Sequence, residues 1–401
     1  MRRDFTSCIG ISFLATDSGC ALLSPQHDVS YSRVVSTGPY QWPLRKAGAA
    51  SQGREILYYA LSNAIGSLRR TTRWLKQWSF ALLVASVTGL ASTAFAGDQP
   101  FEEWLVELRA EAGSLGISES TLDAALSGIE PLPRVIELDR SQPEFTLTFD
   151  EYLGKFVSEW RRKTAARMLV EHADILDRVA AKYGVQKRYI VTFWGMETSF
   201  GKYLGSFNIP QSLATLAHDG RRSAYFRKEL LNALRIIEQG HIKAADMKGS
   251  WAGAMGQSQF MPSSFLNFAE DWDGDGRRDI WGTTEDVFAS TANYLAKAGW
   301  RDDITWGREV RIPGDLVIAG KGATRLFETK SRHALPVWQK AGVRSADGSD
   351  LPSRPLSARL VMPEGVGGKA YLVYSNYESI LRWNRSNYYA LAIGTLSDSL
   401  R

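Results

Sequence analysis

The chain has 401 residues, 44% hydrophobic and 23% charged, the balance of an ordinary globular protein with room for one large domain or two to three smaller ones. Its formal net charge of +5 is unevenly placed: residues 1–96 hold 10 Lys/Arg and 4 Asp/Glu, which leaves 38 basic and 39 acidic residues in 97–401. The basic excess belongs to the leader, so charge gives no support to nucleic-acid binding.

In the leader, Arg69, Arg70, Arg73 and Lys76 precede an apolar stretch from Trp78 through Leu90, and Ala94-Phe-Ala96 puts small residues at −3 and −1 before Gly97. This is the pattern of a secretory signal peptide over 68–96, cleaved after Ala96, and it predicts an exported protein. The apolar run is short for a spanning helix; a retained membrane anchor is the alternative. No cysteine follows the run, so a lipoprotein anchor is not indicated, and the residues after Arg69-Arg70 fit a twin-arginine signal poorly. Residues 1–67 are rich in Ser, Gly and Ala without periodicity. They read as a non-native extension from an upstream start-site assignment, with translation beginning near Leu68, or as a disordered segment. Both cysteines, Cys8 and Cys20, lie there. The expected mature chain, 97–401, then has no disulfide or thiol chemistry and must be stabilised by its core.

From Phe101 the periodicity is helical. Phe101-Glu-Glu-Trp-Leu-Val-Glu-Leu-Arg109 carries apolar positions at helical spacing, and Ser118 opens a second helix within 101–126. Pro131 to Thr148 is looser and Pro-punctuated. Helical spacing resumes over 150–183 and is stopped by Gly184. A mostly apolar helix spans 187–200, another spans 223–239, a Gly-rich loop runs from Lys248 to Pro262, and a further helix occupies roughly 284–298. After Trp300, Val310-Arg-Ile, Leu316-Val-Ile, Ala358-Arg-Leu-Val-Met and Ala370-Tyr-Leu-Val-Tyr read as short strands between turns. A last helix covers about Ser379 to Leu400. The fold class is mainly α (α+β): an α part over 97–303 and 376–401, with a β-rich insertion at 304–375.

Three features carry chemistry. Glu197 is the only carboxylate in Tyr189 to Gly201, and seven of the eight residues before it are apolar, aromatic or glycine. Lost hydration disfavours a charged carboxylate, and a carboxylic acid that stays protonated near neutral pH can act as a general acid in glycosidic-bond cleavage. The plainer reading is a helix-end glutamate pointing to water. The second feature is Lys248 to Ser264, where small residues allow close backbone approach. There Ser250, Gln257 and Gln259 offer neutral polar groups, and Trp251, Phe260 and Met261 offer apolar surface, a mixture suited to sugars; a tight interhelical turn is the alternative. The third is Asp271-Trp-Asp-Gly-Asp-Gly-Arg-Arg-Asp279, which fits the start of an EF-hand-like loop. Asp271, Asp273 and Asp275 would supply carboxylates to Ca²⁺, Arg277 its carbonyl, and Asp279 the ninth position. The twelfth is Gly282, so Asp286, or less favourably Glu285, takes the place of the usual glutamate. The expected role of Ca²⁺ is structural. His172, His218, His241 and His333 show no zinc spacing. Neither a Gly-x-Ser-x-Gly elbow nor a Gly-x-x-x-x-Gly-Lys phosphate loop occurs, and no organic cofactor is expected.

Taken together, Gly195-Met-Glu-Thr-Ser-Phe-Gly201, Gly253-Ala-Met-Gly-Gln-Ser-Gln-Phe-Met-Pro-Ser-Ser264 and Trp383-Asn-Arg-Ser-Asn-Tyr-Tyr-Ala-Leu-Ala392 resemble the B-type lytic murein transglycosylases, in order, across roughly 101–398. The resemblance implies a lysozyme-like helical domain with a small β region and one EF-hand-like Ca²⁺ loop, from which the missing twelfth-position ligand departs. It implies cleavage of the β-1,4 bond between N-acetylmuramic acid and N-acetylglucosamine, leaving 1,6-anhydromuramic acid ends, with Glu197 as sole acid/base. By matching position, Ser250, Gln259, Phe260, Met261, Tyr294, Asn384 and Tyr389 would line the saccharide groove, joined by Tyr152. The implied partner is the glycan strand of peptidoglycan, in the periplasm, for a monomer loosely associated at most with membrane or wall machinery. Some relatives carry a C-terminal wall-binding module; without one before Arg401, wall affinity is expected to come from the groove. A hydrolytic muramidase and a non-catalytic, Ca²⁺-stabilised wall-binding protein are the alternatives.

Overall fold

The computed structural model describes residues 99–141, 147–314, 331–365 and 367–401. The extension, the signal peptide, both cysteines and the expected strand at Leu316-Val-Ile lie outside the described residues.

Helices α1 (Phe101–Ser114) and α2 (Glu119–Leu126) form where the periodicity places them, and the Ser118 hydroxyl accepts the Thr121 N–H as the cap of α2. The Pro-punctuated stretch contains a helix that the sequence reading missed, α3 (Pro133–Arg140): proline at a first turn starts a helix instead of breaking one. The run over 150–183 is three helices, α4 (Phe149–Phe156), α5 (Glu159–Glu171) and α6 (Ala173–Tyr183). Thr148 and Glu151 make a reciprocal capping box at the start of α4, Ser158 caps α5, and His172 bends the chain between α5 and α6. Gly184 ends α6 in the left-handed region, as expected.

Helix α7 (Lys187–Thr198) bears Glu197. Strand β1 (Phe207–Asn208) leads into α8 (Ile209–His218), also missed by periodicity, because a helix buried on nearly every side shows no polar face. Then come α9 (Ser223–Glu238), β2 (Lys248–Gly249), α10 (Pro262–Phe268) and α11 (Thr284–Lys297). The antiparallel β1–β2 pair closes the base of the Gly-rich loop.

The β-rich insertion holds β3 (Gly307–Arg311), β4 (His333–Ala334), helix α12 (Leu335–Lys340), β5 (Arg344–Ser345), β6 (Ser357–Val361) and β7 (Ala370–Val373). Its strands form one antiparallel sheet in the order β4-β6-β7-β3-β5. Strand alternation divides it between two cores. Ala358, Leu360, Ala370 and Leu372 face a small core with Leu335 and Trp338. Val361, Tyr371 and Val373 join the large helical core. This two-sided burial explains why β7 reads as a continuous apolar run, while in β6 Arg359 interrupts the run and pairs with Glu378. The last expected helix is two, α13 (Ser375–Trp383) and α14 (Asn387–Asp398), the second capped by Ser386. Among the described residues, no helix is long and apolar enough to cross a membrane.

Contacts at two places help fix the sheet to the helices. The β6–β7 connection grips the start of α4, where Glu364 accepts the Phe149 N–H at 3.0 Å and Lys369 pairs with Asp150 at 2.6 Å. Trp306 packs against Gly394 of α14, where a Cβ would lie 2.3 Å from the indole. Gly394→Ala is therefore expected to cost about 1–3 kcal/mol through overpacking, read as a lowered urea midpoint with the slope unchanged.

Candidate active site

Glu197 lies in the last turn of α7, which packs against α5, α6, α11 and α14. Being surrounded explains the almost wholly apolar sequence of α7. Its end is tied down by polar groups. Ser199 and Phe200 have positive φ, 52° and 62°, an uncommon conformation for residues other than glycine. The buried Arg161 of α5 donates to the Gly195 carbonyl at 3.2 Å, the Phe156 carbonyl at 2.7 Å and Ser199 Oγ at 3.4 Å. Gln257 braces the same turn from the Gly-rich loop. Its Oε1 accepts Trp194 Nε1–H at 2.7 Å, its carbonyl accepts Thr198 Oγ1–H at 3.1 Å, and its Nε2 donates to the Trp281 carbonyl at 2.9 Å. The side chain read from sequence as a sugar-binding group is thus spent on the scaffold.

Glu197 itself is half-buried. Its Oε1 accepts two hydrogen bonds, from Trp383 Nε1 at 2.7 Å and from the Tyr389 hydroxyl at 2.5 Å. Among the described residues, no hydrogen bond reaches Oε2. Desolvation pushes the carboxyl up to about 7, against the pull of the Tyr389 and Trp383 bonds, which favour the charged form. The Glu197 charge and burial in turn hold Tyr389 well above its ordinary value, desolvation being the larger cause.

Aromatic rings build the surrounding wall. Trp383 packs on Phe193 at 4.6 Å, Tyr294 at 4.7 Å and Phe260 at 5.2 Å between ring centroids. Tyr294 donates its hydroxyl to the Arg382 carbonyl at 2.7 Å. Tyr152 packs against Phe156 with a tilted ring and edge-on against Tyr388, and its field is felt at Tyr389. The structure thus gathers Glu197, Tyr389, Tyr294, Phe260 and Tyr152, five of the sequence-predicted residues, from four helices and the Gly-rich loop.

The others shape the loops. Ser250 Oγ accepts the Ala254 N–H at 3.0 Å, and Met261 is buried before α10. Gln259 has a positive φ of 49°; its Nε2 donates to the Leu204 and Gly256 carbonyls, and its buried Oε1 has no partner among the described residues. Asn384 Oδ1 accepts the Ser386 N–H at 3.0 Å, and its buried Nδ2 has no partner among the described residues. Such unsatisfied groups are expensive and rare. No hydrogen bond among the described residues joins Ser250, Gln259 or Asn384 to Glu197.

Sequence reasoning missed Trp383 and Arg161 as parts of the site. Trp383 heads the third motif, and its indole N–H is a donor that burial must satisfy; that was the available signal. Arg161 gave none, because its acceptors include a carbonyl 34 residues away.

In the aspartate loop, ligand oxygens of Asp271, Asp273 and Asp286 lie within 4.8 Å of one another. Asp286, from the first turn of α11, is fully buried, so the side chain expected to replace the twelfth-position ligand does converge. It also organises the loop, accepting the Trp272 and Asp279 N–H groups, each at 2.7 Å. Desolvation first, then the charges of Asp273 and Asp271, push it up to about 6. The Asp275 and Asp279 carboxylates lie outside this convergence. Asp275 pairs with the Arg277 guanidinium at 3.0 Å, and Asp279 turns to the Trp281 and Gly282 N–H groups at 2.9 and 2.8 Å. Three clustered carboxylates, one of them buried, suit a hard oxygen-bound cation such as Ca²⁺.

The transglycosylase SLT domain family matches residues 100–398. Membrane-bound lytic murein transglycosylase B of Escherichia coli (strain K12) is 30% identical over 255 residues, 62% of this chain and 66% of that protein, so the matched region spans just under two thirds of that relative. SltB3 from Pseudomonas aeruginosa, solved in complex with NAG-anhNAM-pentapeptide, has a TM-score of 0.72 at 44% identity, over 75% of this chain and 80% of that one. The Escherichia coli lytic transglycosylase SLT35, solved in complex with calcium, has a TM-score of 0.63 at 27% identity, over 76% and 93% of the two chains. With its mostly helical body, small antiparallel sheet and a half-buried glutamate in the first matching motif, this chain belongs to the transglycosylase SLT domain family, the lytic transglycosylases of peptidoglycan.

Proposed function

We propose that this protein cleaves the β-1,4 bond between N-acetylmuramic acid and N-acetylglucosamine and leaves 1,6-anhydromuramic acid ends, with Glu197 as single acid and base. The observation that carries this reading is the state of Glu197: burial holds it near 7, two donors hold one oxygen, and no charged group contributes to its shift. A carboxyl with a value near the working pH can give a proton and then take one. In the first step Glu197 protonates the bridging oxygen as the C1–O bond breaks, and N-acetylglucosamine leaves with a free 4-hydroxyl. In the second, the Glu197 carboxylate takes the proton of the C6 hydroxyl of the same muramic acid, and O6 bonds to C1. Acid and base are restored and no water is consumed. A tethered nucleophile has the advantage of proximity. A two-carboxylate hydrolase needs a second acid at the site, and among the described residues no other carboxylate is hydrogen-bonded or electrostatically coupled to Glu197.

The aromatic wall suits sugar ring faces, and the unpartnered Asn384 Nδ2 and Gln259 Oε1 are groups that glycan hydroxyl and amide groups would satisfy. In this reading Ca²⁺ is held by Asp271, Asp273 and Asp286 and supplies charge neutralisation only. It fastens the loop whose exit, Ile280-Trp281, holds Gln257 against α7. Saturating Ca²⁺ should raise the melting temperature by linkage, about 2.7 kcal/mol at a hundredfold excess over Kd. Chelator should reverse the gain, and Asp271→Asn should abolish it; a melting temperature indifferent to Ca²⁺ and chelator counts against the site. The export signal at 68–96 fits a periplasmic enzyme, and N-terminal sequencing of the secreted protein tests cleavage after Ala96.

The experiment for the central reading is product analysis of digested peptidoglycan, wild type beside Glu197→Gln. Anhydro ends from wild type and none from the variant are expected; wall clearing by Glu197→Gln at the wild-type rate would remove Glu197 from the mechanism.

A further inference from the structure

We propose that Trp383 is a positioning residue that fixes the acid proton of Glu197 on Oε2, the oxygen that no hydrogen bond reaches among the described residues. The argument rests on an asymmetry between the two groups that reach Oε1. A tyrosine hydroxyl donates or accepts, whereas an indole N–H only donates. With Tyr389 alone, a protonated Oε1 could turn its hydrogen to the Tyr389 oxygen, and the proton would be hidden from substrate. The Trp383 N–H, 2.7 Å from Oε1, removes that option. It demands an acceptor, so Oε1 is the carbonyl oxygen of the protonated acid, Tyr389 donates as well at 2.5 Å, and the proton goes to Oε2. After proton transfer both donors remain on Oε1 and stabilise the carboxylate, leaving Oε2 to take the C6 hydroxyl proton.

Trp383 is held for this task in advance. It ends α13, is only 6% exposed, and is boxed by Phe193, Phe260 and Tyr294. The other titratable or charged groups on elements packed around Glu197 do not compete. Tyr389 stays neutral, Tyr294 is pushed up to about 12 by burial, Tyr152 packs against the Phe156 and Tyr388 rings, and Arg161 is spent on the Gly195 and Phe156 carbonyls. Arg382 donates to the Ala298 carbonyl.

The inference rests on Glu197 being the acid. The test is the pH profile of peptidoglycan cleavage by Trp383→Phe, which keeps an aromatic ring and removes the donor. A hydrogen bond to a charged group is worth roughly a factor of ten or more. Its loss should move the alkaline limb up by about one pH unit and lower kcat about tenfold, with KM changed less than twofold. A lowered kcat with the limb unmoved would show a merely structural role and overturn the proposal. Should Trp383→Phe fail to fold, the indole N–H proton resonances of the wild type decide. One of them should titrate with a midpoint near 7 and lose that titration in Glu197→Gln; no such resonance would overturn the proposal. An active Glu197→Gln enzyme would instead overturn the acid assignment itself, so the two failures are distinct.

Discussion

Glu197→Gln is expected to lower peptidoglycan cleavage by at least about a thousandfold, the upper part of the range for general acid–base catalysis, because the same residue serves in both steps. The same variant should be more stable than wild type above neutral pH. Burial raises the carboxyl from 4.5 to about 7 in the folded chain. Below about pH 4.5 the side chain is protonated in both folded and unfolded chains, and stability is at its full value. As pH rises towards 7, the unfolded chain loses its proton first, so the folded state is progressively disfavoured; above 7 the loss is complete. Glutamine does not ionise, and its amide oxygen can accept the same two donors. The gain in melting temperature should therefore be largest at pH 8 and vanish by pH 4. Melting curves at the two pH values, beside rates on isolated cell walls, check both halves. A gain of equal size at both pH values would mean that burial of a charge is not its source.

Arg161→Ala is expected to cost about 3 kcal/mol and most of the activity. The guanidinium is buried and donates to carbonyls at the end of α4 and near the end of α7. Its removal leaves buried acceptors unpaired, a penalty of about 1–3 kcal/mol for each group. It also frees the turn that aims Glu197. Arg161→Lys should recover only part of the loss, since one ammonium cannot reproduce a planar fork of donors. Urea unfolding followed by fluorescence measures the stability, and a change below about 0.5 kcal/mol for Arg161→Ala would contradict this role.

The outline of the molecule was legible where local chemistry decides it. Ser118, Gly184 and the apolar run before Glu197 act through their nearest neighbours, and each does in the structure what its residue type implies. The strands at 357–361 and 370–373 were legible as apolar runs, although their burial between two cores was not. The breaks at His172 and at Asn384 to Ser386 were hidden because apolar spacing continues across them. The second arises from capping, Ser386 accepting the Tyr389 N–H at 3.3 Å, whereas His172 makes no side-chain cap. Glu197 stood out by composition, and Tyr389 by its motif. Trp383, Arg161 and the bracing role of Gln257 were not legible, because their partners lie 186, 34 and 63 residues away. The aspartate loop shows the intermediate case: spacing pointed to five aspartates and the Arg277 carbonyl, and tertiary structure brings three of the carboxylates to one point.

The most direct test of the account is mass spectrometry of the muropeptides released from purified peptidoglycan by the wild-type enzyme. A single acid/base glutamate with closure by the C6 hydroxyl predicts 1,6-anhydromuramic acid at the new ends. Reducing muramic acid ends, formed by addition of water, would contradict it.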